Sequence, residues 1–338
     1  MKVDYYLPPS TTAREVADVA RWAAGLGYDG LFSAETAHDP FIPLALAAQA
    51  APTLTLGTAI AVAFPRSPMV TAQVAWDLAA MTDGRFILGL GTQVKPHIVR
   101  RFAVAWTTAS GRLRDYIDAM RAIWSSFQTG EALRFHSEEY RLTLMTPFFS
   151  PGPIGHPDIP IAIAGVGPHL ARLAGERCQG FHVHPFHTVR YLDDVVLPNI
   201  AAGAADHGRP PSDIELISTV FVVTGRDEAE MRTAMAAAKQ QIAFYASTPT
   251  YRIVLETHGW DFGERLNGMS RRGEWESMAA VIPDEVVEEV GIVAEPDEVG
   301  PAIKTRYGDR LARIGYYTLD GSPRLDDAAL ATMVAASR

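Results

Sequence analysis

The chain has 338 residues, 48% of them hydrophobic and 20% charged, which fits one large or two ordinary globular domains. A formal net charge of -9 argues against a nucleic-acid partner, whose phosphates demand a basic face. The single cysteine, Cys178, excludes an internal disulfide and a multi-thiolate metal centre. No apolar run reaches the roughly 18 residues of a membrane span.

Residues 3–7 read as a first strand. No apolar segment follows Lys2, so a strand is expected there rather than a secretory leader, and the protein is expected to be cytoplasmic. Ser10, Thr11 and Thr12 offer a cap to a helix over 14–26, where Val16, Val19, Ala20 and Ala23 recur at helical spacing. A second strand, 31–34, runs into the polar cluster Glu35, Thr36, Ala37, His38 and Asp39, and a helix over 41–51 follows. The stretch 54–93 carries the clearest pattern. An apolar, β-branched run uncharged up to Arg66 leads to Ser67-Pro68, an N-cap with proline at the first helical position. That helix stops at Asp83-Gly84, and another apolar strand, 86–90, comes next. Strand, helix, strand at this spacing is a βαβ unit with parallel strands. Gly57-Thr58-Ala59 and Gly89-Leu90-Gly91-Thr92 put small or hydroxylic residues at the strand ends, where a ligand can approach the backbone.

Residues 93–108 read as a long loop or irregular helix holding Lys95, His97, Arg100 and Arg101. An amphipathic helix over 112–127, a hairpin over 133–144 and a proline-rich connection over 146–160 precede a second βαβ unit. Its strand 161–164, turn Gly165-Val166-Gly167-Pro168, helix 169–177 and strand 181–184 are followed by a helix over 189–206 and a strand over 214–223. Asp227 caps a helix running to 246. Residues 248–282 break the alternation and are expected to form a helical insertion, with helices over 283–290 and 297–307 and a last strand over 314–319. About eight strands with intervening helices predict a single-domain (β/α)8 TIM barrel, with a doubly wound open sheet as the alternative.

Three constellations carry candidate chemistry. The turn Gly165-Val166-Gly167 lies between a strand and a helix, where exposed N–H groups favour an anion, although Leu170 replaces the third glycine of a dinucleotide fingerprint. Glu35, Thr36, His38 and Asp39 follow the second strand, at the face where barrel enzymes keep their acids and bases. His182, His184 and His187 form H-x-H-x-x-H at a strand end; His182 and His184 share a face, as in a metal-dependent barrel hydrolase. No later cluster completes such a site, so no metal is assigned and a single contact from His184 to a ligand is favoured. Arg66 and the Lys95–Arg101 group can hold anions, with surface ion pairs as the alternative.

With these residues laid out, the chain resembles the luciferase-like monooxygenase superfamily, in its F420-dependent oxidoreductase branch. The resemblance rests on GYDGLFSAE (27–35), LTLGTAIAVAFPRSPMVTAQVAWDLAAMTDGRFILGLGTQ (54–93), IAIAGVGP (161–168), RLAGERCQGFHVHP (172–185) and RYLDDVVLP (190–198). It implies a bacterial luciferase-like TIM barrel with an insertion near its carboxyl face. It also implies coenzyme F420, with FMN as the alternative, resting on the third strand at a non-prolyl cis peptide whose counterpart is Ala59-Ile60. The cofactor's phosphate would meet Thr92-Gln93, Gly165-Val166-Gly167 and His184, with Thr36 close to the ring. The implied reaction moves hydride between F420 and a small organic substrate, Glu35 being the first choice to handle the proton and His97 or His38 the second. A two-component monooxygenase using reduced FMN is the alternative. A homodimer and a flavin or F420 reductase are the expected partners. Departures matter here. A glucose-6-phosphate dehydrogenase of this family has Asp-His where this chain has Glu35-Thr36, and its catalytic glutamate falls near Val94. Bacterial luciferase's active-site histidine falls near Thr36. Neither chemistry carries over.

Overall fold

The computed structural model of the protein describes residues 1–317, 319 and 321–338. Among them, eight parallel strands close into a barrel: β1 (Lys2–Tyr6), β2 (Gly30–Ser33), β3 (Thr55–Thr58), β4 (Phe86–Gly91), β5 (Ile161–Gly165), β6 (Gly180–Val183), β7 (Glu215–Val223) and β8 (Arg313–Tyr317). Closure is direct. Ile217 of β7 pairs with Arg313 of β8, and Asp4 of β1 pairs with both Gly315 and Gly30. The open-sheet alternative is therefore overturned. The strands have near-continuous apolar sequences because helices cover the outside while side chains fill the inside.

Glycines decide how the inside is filled. A Cβ on Gly57 would enter the Phe32 ring, and one on Gly89 would sit 1.8 Å from the Thr58 carbonyl oxygen and 2.8 Å from His182 Nε2. With β3 and β4 bare at these levels, large groups from β2, β6 and β8 occupy the centre. Among them is a buried ion pair: Arg313 Nη2 donates to Asp4 Oδ1 at 2.6 Å, and Arg313 Nε donates to Oδ2 at 2.8 Å. The Arg313 guanidinium lies 5.7 Å from the Phe32 ring centre.

Local signals held where they were chemically explicit. Ser67 Oγ accepts the Val70 N–H at 3.3 Å with Pro68 starting the helix Pro68–Met81, and Asp227 Oδ1 accepts the N–H groups of Ala229 and Glu230. Elsewhere the structure differs. The first helix is Val16–Gly25, and the expected Thr12 cap is reversed: Thr12 donates its N–H and hydroxyl to Glu15 Oε2 at 2.8 and 2.7 Å. The helix expected over 189–206 contains a π turn, Leu192–Val196, ahead of Pro198. Proline has no N–H and its ring crowds the carbonyl four residues back, so the wider turn relieves the conflict.

Between β7 and β8 lie Glu228–Ala246, Arg252–His258, Gly263–Arg272, Trp275–Met278 and Asp284–Val290. A short strand, Gly291–Val293, then pairs with Phe221–Val223, and the helix Val299–Tyr307 leads into β8. That strand and the terminal helix Asp327–Ala336, capped by Asp326, were absent from the sequence reading. Of the predicted last strand, Thr318 lies outside the described residues. No described helix is long and apolar enough to cross a membrane.

Candidate active site

Burial gives way to partial exposure where the strands end. Ala59 and Ile60 beyond β3, Thr92 and Gln93 beyond β4, Gly165 at the end of β5 and His184 beyond β6 are all half-buried, above strand residues that are mostly enclosed. These ends form the mouth of the barrel at its carboxyl face, where barrel enzymes work. A separate concavity opens at the other end, between Pro160, Gly180, Asp213 and Glu215. It faces the amino ends of the strands, so we do not place the site there.

On one wall, the Ala59-Ile60 peptide is cis, as the resemblance expects. The chain detours here: Ala59 N–H donates to Ser33 O at 2.8 Å, Ile60 O accepts the Glu35 N–H at 3.0 Å, and Ala61–Val62 then rejoins β4 beside Leu90 and Gly91. Ile60 lies against Gly91, where an added Cβ would come within 2.5 Å of Ile60 Cδ1. Ile60 thus forms a ledge above β4.

A charged clamp holds the ledge. Glu35 Oε2 accepts the Val62 N–H at 2.7 Å and Arg66 Nη1–H at 2.6 Å. Arg66 also donates to Val62 O at 3.1 Å and to Asp39 Oδ2 at 2.8 Å. The other Asp39 oxygen accepts the Phe41 N–H at 2.8 Å, at the start of the helix Phe41–Ala50. The Glu35 and Arg66 side chains are only 7% and 17% exposed.

The remaining predicted residues fall in two groups. Thr92-Gln93, Gly165-Val166-Gly167 and His184 form one arc of the rim over β4, β5 and β6. Gln93 turns back on itself, its Oε1 accepting the Val94 N–H at 2.9 Å. Gly167 starts the helix Pro168–Arg177, and the Tyr191 hydroxyl donates to Val166 O. Thr36, His38 and His97 are exposed on the rim. The Thr36 carbonyl accepts from Arg101, His38 borders a small groove with Pro8 and Thr11, and His97 lies on the short helix Lys95–Arg100.

The three histidines of H-x-H-x-x-H occupy three environments. His182 lies inside the barrel, edge-on to Phe32, and its Nε2 is buried without a partner among the described residues. His184 is flanked by Tyr245 and Tyr251 at 4.6 and 4.4 Å between ring centres. His187 is fully buried, and its Nδ1 lies 2.9 Å from the His184 carbonyl oxygen, to which it must donate. Among the described residues, no three His, Cys, Asp or Glu side chains converge as metal ligands would.

Burial, with Arg313 adding repulsion, pushes His182 down to about 4, and burial pushes His187 down to about 4. Both lie below the ordinary 6.5. The unfolded chain therefore binds protons that the folded one refuses, and the stability from these rings is complete above 6.5 and drains as pH falls toward 4. Urea unfolding is expected to lose about 2 kcal/mol per histidine between about pH 7 and pH 5. An unchanged midpoint over that range would contradict the buried neutral rings.

The sequence reading missed Tyr6 on β1 and the tyrosines of the opposite wall. Tyr6 stacks on Phe32 at 5.4 Å, and the hydroxyls of Tyr245 and Tyr317 are 2.6 Å apart. Tyr251 Oη lies 3.0 Å from His184 Nε2. Tyr6 and Tyr317 were detectable as the ends of the first and last strands; Tyr245 and Tyr251 carry no local signal.

Known proteins resemble the chain in sequence and in fold. The sequence family described as luciferase-like monooxygenase matches residues 2–313. An uncharacterised protein of Mycobacterium tuberculosis is 42% identical over 323 residues, 95% of each chain. The F420-dependent glucose-6-phosphate dehydrogenase of Intrasporangium calvum is 27% identical over 316 residues, 86% of this chain and 84% of that one. In fold, the chain is similar to the coenzyme F420-dependent tetrahydromethanopterin reductase of Methanopyrus kandleri, with a TM-score of 0.79 and 20% identity over 98% of this chain and 96% of that one.

Proposed function

The chain belongs to the luciferase-like monooxygenase family, and from that premise we propose that it is an oxidoreductase moving hydride between coenzyme F420 and a small organic substrate. The observation that carries this reading is the Ile60 ledge at the end of β3, clamped by Glu35 and Arg66, on the segment where the resemblance expects the ring to rest. The name of the Intrasporangium calvum relative supports F420 as the cofactor.

The donor set fits such a group. Ile60 and Gly91 offer an apolar, close-packed surface for a ring. The half-buried turn Gly165-Val166-Gly167, at the start of a ten-residue helix, presents backbone N–H groups and the positive end of the helix dipole to an anionic tail. Thr92 and Gln93 adjoin that turn. F420, when bound, supplies a carbon centre that accepts or returns hydride. Glu35 acts by positioning, its Oε2 being held by Arg66 and Val62. His38 and His97, exposed on the rim, are left to exchange the accompanying proton with solvent. The alternative, reduced FMN with oxygen and a separate reductase, follows from the family's name and uses the same ledge. Parallel titrations with F420 and FMN separate the two.

A further inference from the structure

Among the described residues, the wall facing the ledge has a hydrogen-bond donor with no acceptor of its own. In an eight-strand ring β7 lies opposite β3, and the cluster of His184, Tyr245, Tyr251 and Tyr317 stands over β6, β7 and β8. Phe186 N–H donates to His184 Nδ1 at 3.1 Å. A backbone N–H can only donate, so Nδ1 carries no proton and the hydrogen of the neutral ring is on Nε2. That Nε2–H points at Tyr251 Oη, 3.0 Å away, so the tyrosine oxygen is the acceptor of the pair. Its own O–H remains to donate elsewhere, and among the described residues no other hydrogen bond engages it. Burial and the neighbouring His187 push His184 down to about 3, which keeps the ring neutral, and burial pushes Tyr251 up to about 12, which keeps its proton in place.

The chemistry of the wall narrows what the O–H can meet. Tyr251 is surrounded by the rings of His184, Phe186 and Tyr245. The arginines inside the barrel and behind the ledge, Arg313 and Arg66, are already paired with carboxylates. Among the described residues the ring neighbours of Tyr251 are all uncharged, so an anionic substrate held against them would be desolvated with no cation beside it.

We propose that Tyr251 is a specificity-determining catalytic residue, donating a hydrogen bond to the hydroxyl or carbonyl oxygen of an uncharged substrate, an alcohol or ketone rather than a sugar phosphate. The proposal rests on the hydride-transfer reading for its kinetic test but not for its structural one.

The structural test is nitrogen NMR of the histidine-labelled full chain. The result expected is the Nε2–H form of His184 near neutral pH; an Nδ1–H ring or an imidazolium would overturn the proposal whether or not F420 binds. The kinetic test compares wild type with Tyr251→Phe, reading F420 affinity by fluorescence and turnover of cyclohexanol, cyclohexanone, 1-phenylethanol and glucose 6-phosphate. The variant is expected to bind F420 within about twofold of wild type while kcat/KM for the uncharged substrates falls about 10- to 100-fold, as loss of one half-buried donor should produce. Overturning results are unchanged kcat/KM in the variant, F420 affinity that falls as far as turnover, a preference for glucose 6-phosphate, or F420 binding with no turnover of any uncharged compound. Failure of wild type to bind F420 would contradict the hydride-transfer reading alone, leaving the NMR result to decide the donor.

Discussion

Arg313→Met is expected to lower the unfolding free energy by about 3–5 kcal/mol, the usual cost of leaving one member of a buried ion pair alone. The Asp4 side chain is completely enclosed, and among the described residues Arg313 supplies its two side-chain hydrogen bonds and its only ion-pair partner. Removing the guanidinium also removes its contact with the Phe32 face. Urea unfolding followed by circular dichroism measures the loss. The double variant Asp4→Leu with Arg313→Met should recover much of it, because no unpaired charge then remains buried. A single variant as stable as wild type would mean that solvent reaches Asp4 or that its carboxyl, which burial already pushes up to about 6, takes up a proton.

Arg66→Met is expected to reduce F420-linked turnover about 100-fold and to weaken F420 binding at least about tenfold. Such effects follow when a supporting residue lets a reacting surface move by about an ångström. Arg66 ties three things together: Glu35 at the end of β2, Asp39 at the start of the helix Phe41–Ala50, and the Val62 carbonyl just beyond the ledge. Lysine carries the charge but not the fork, so Arg66→Lys should restore only part of the activity. Thermal unfolding measured beside Kd and kcat separates a displaced ledge from a destabilised fold. Wild-type affinity and turnover in Arg66→Met would show that Ile60 is held by its backbone contacts alone.

The barrel was legible because its signals are local. Strands buried on both faces read as apolar runs, and Ser67-Pro68 and Asp227 mark helix starts by chemistry that needs no tertiary partner. Gly291–Val293 was not legible: three residues are too few for a period, and they become a strand only by meeting Phe221–Val223. The site divides along the same line. Ala59-Ile60 and the turn Gly165-Val166-Gly167 entered through motif resemblance and strand-end position, and both lie at the mouth. The clamp did not. Glu35 and Arg66 are 31 residues apart and meet only because β2 pairs with β3, so each read alone as a proton carrier or an anion holder. Tyr245, Tyr251 and Tyr317 are brought together by the packing of the segment after β7 against β8, which no local pattern encodes.

The proposed function requires a deazaflavin in the mouth of this barrel. Equilibrium titration of the purified chain with F420, followed by fluorescence and run beside an identical titration with FMN, tests it most directly. Saturable F420 binding with a Kd on the order of micromolar or tighter, typical of specific cofactor sites, and markedly weaker FMN binding are the results predicted. FMN binding at that strength with no F420 binding would contradict the claim and favour the flavin monooxygenase reading.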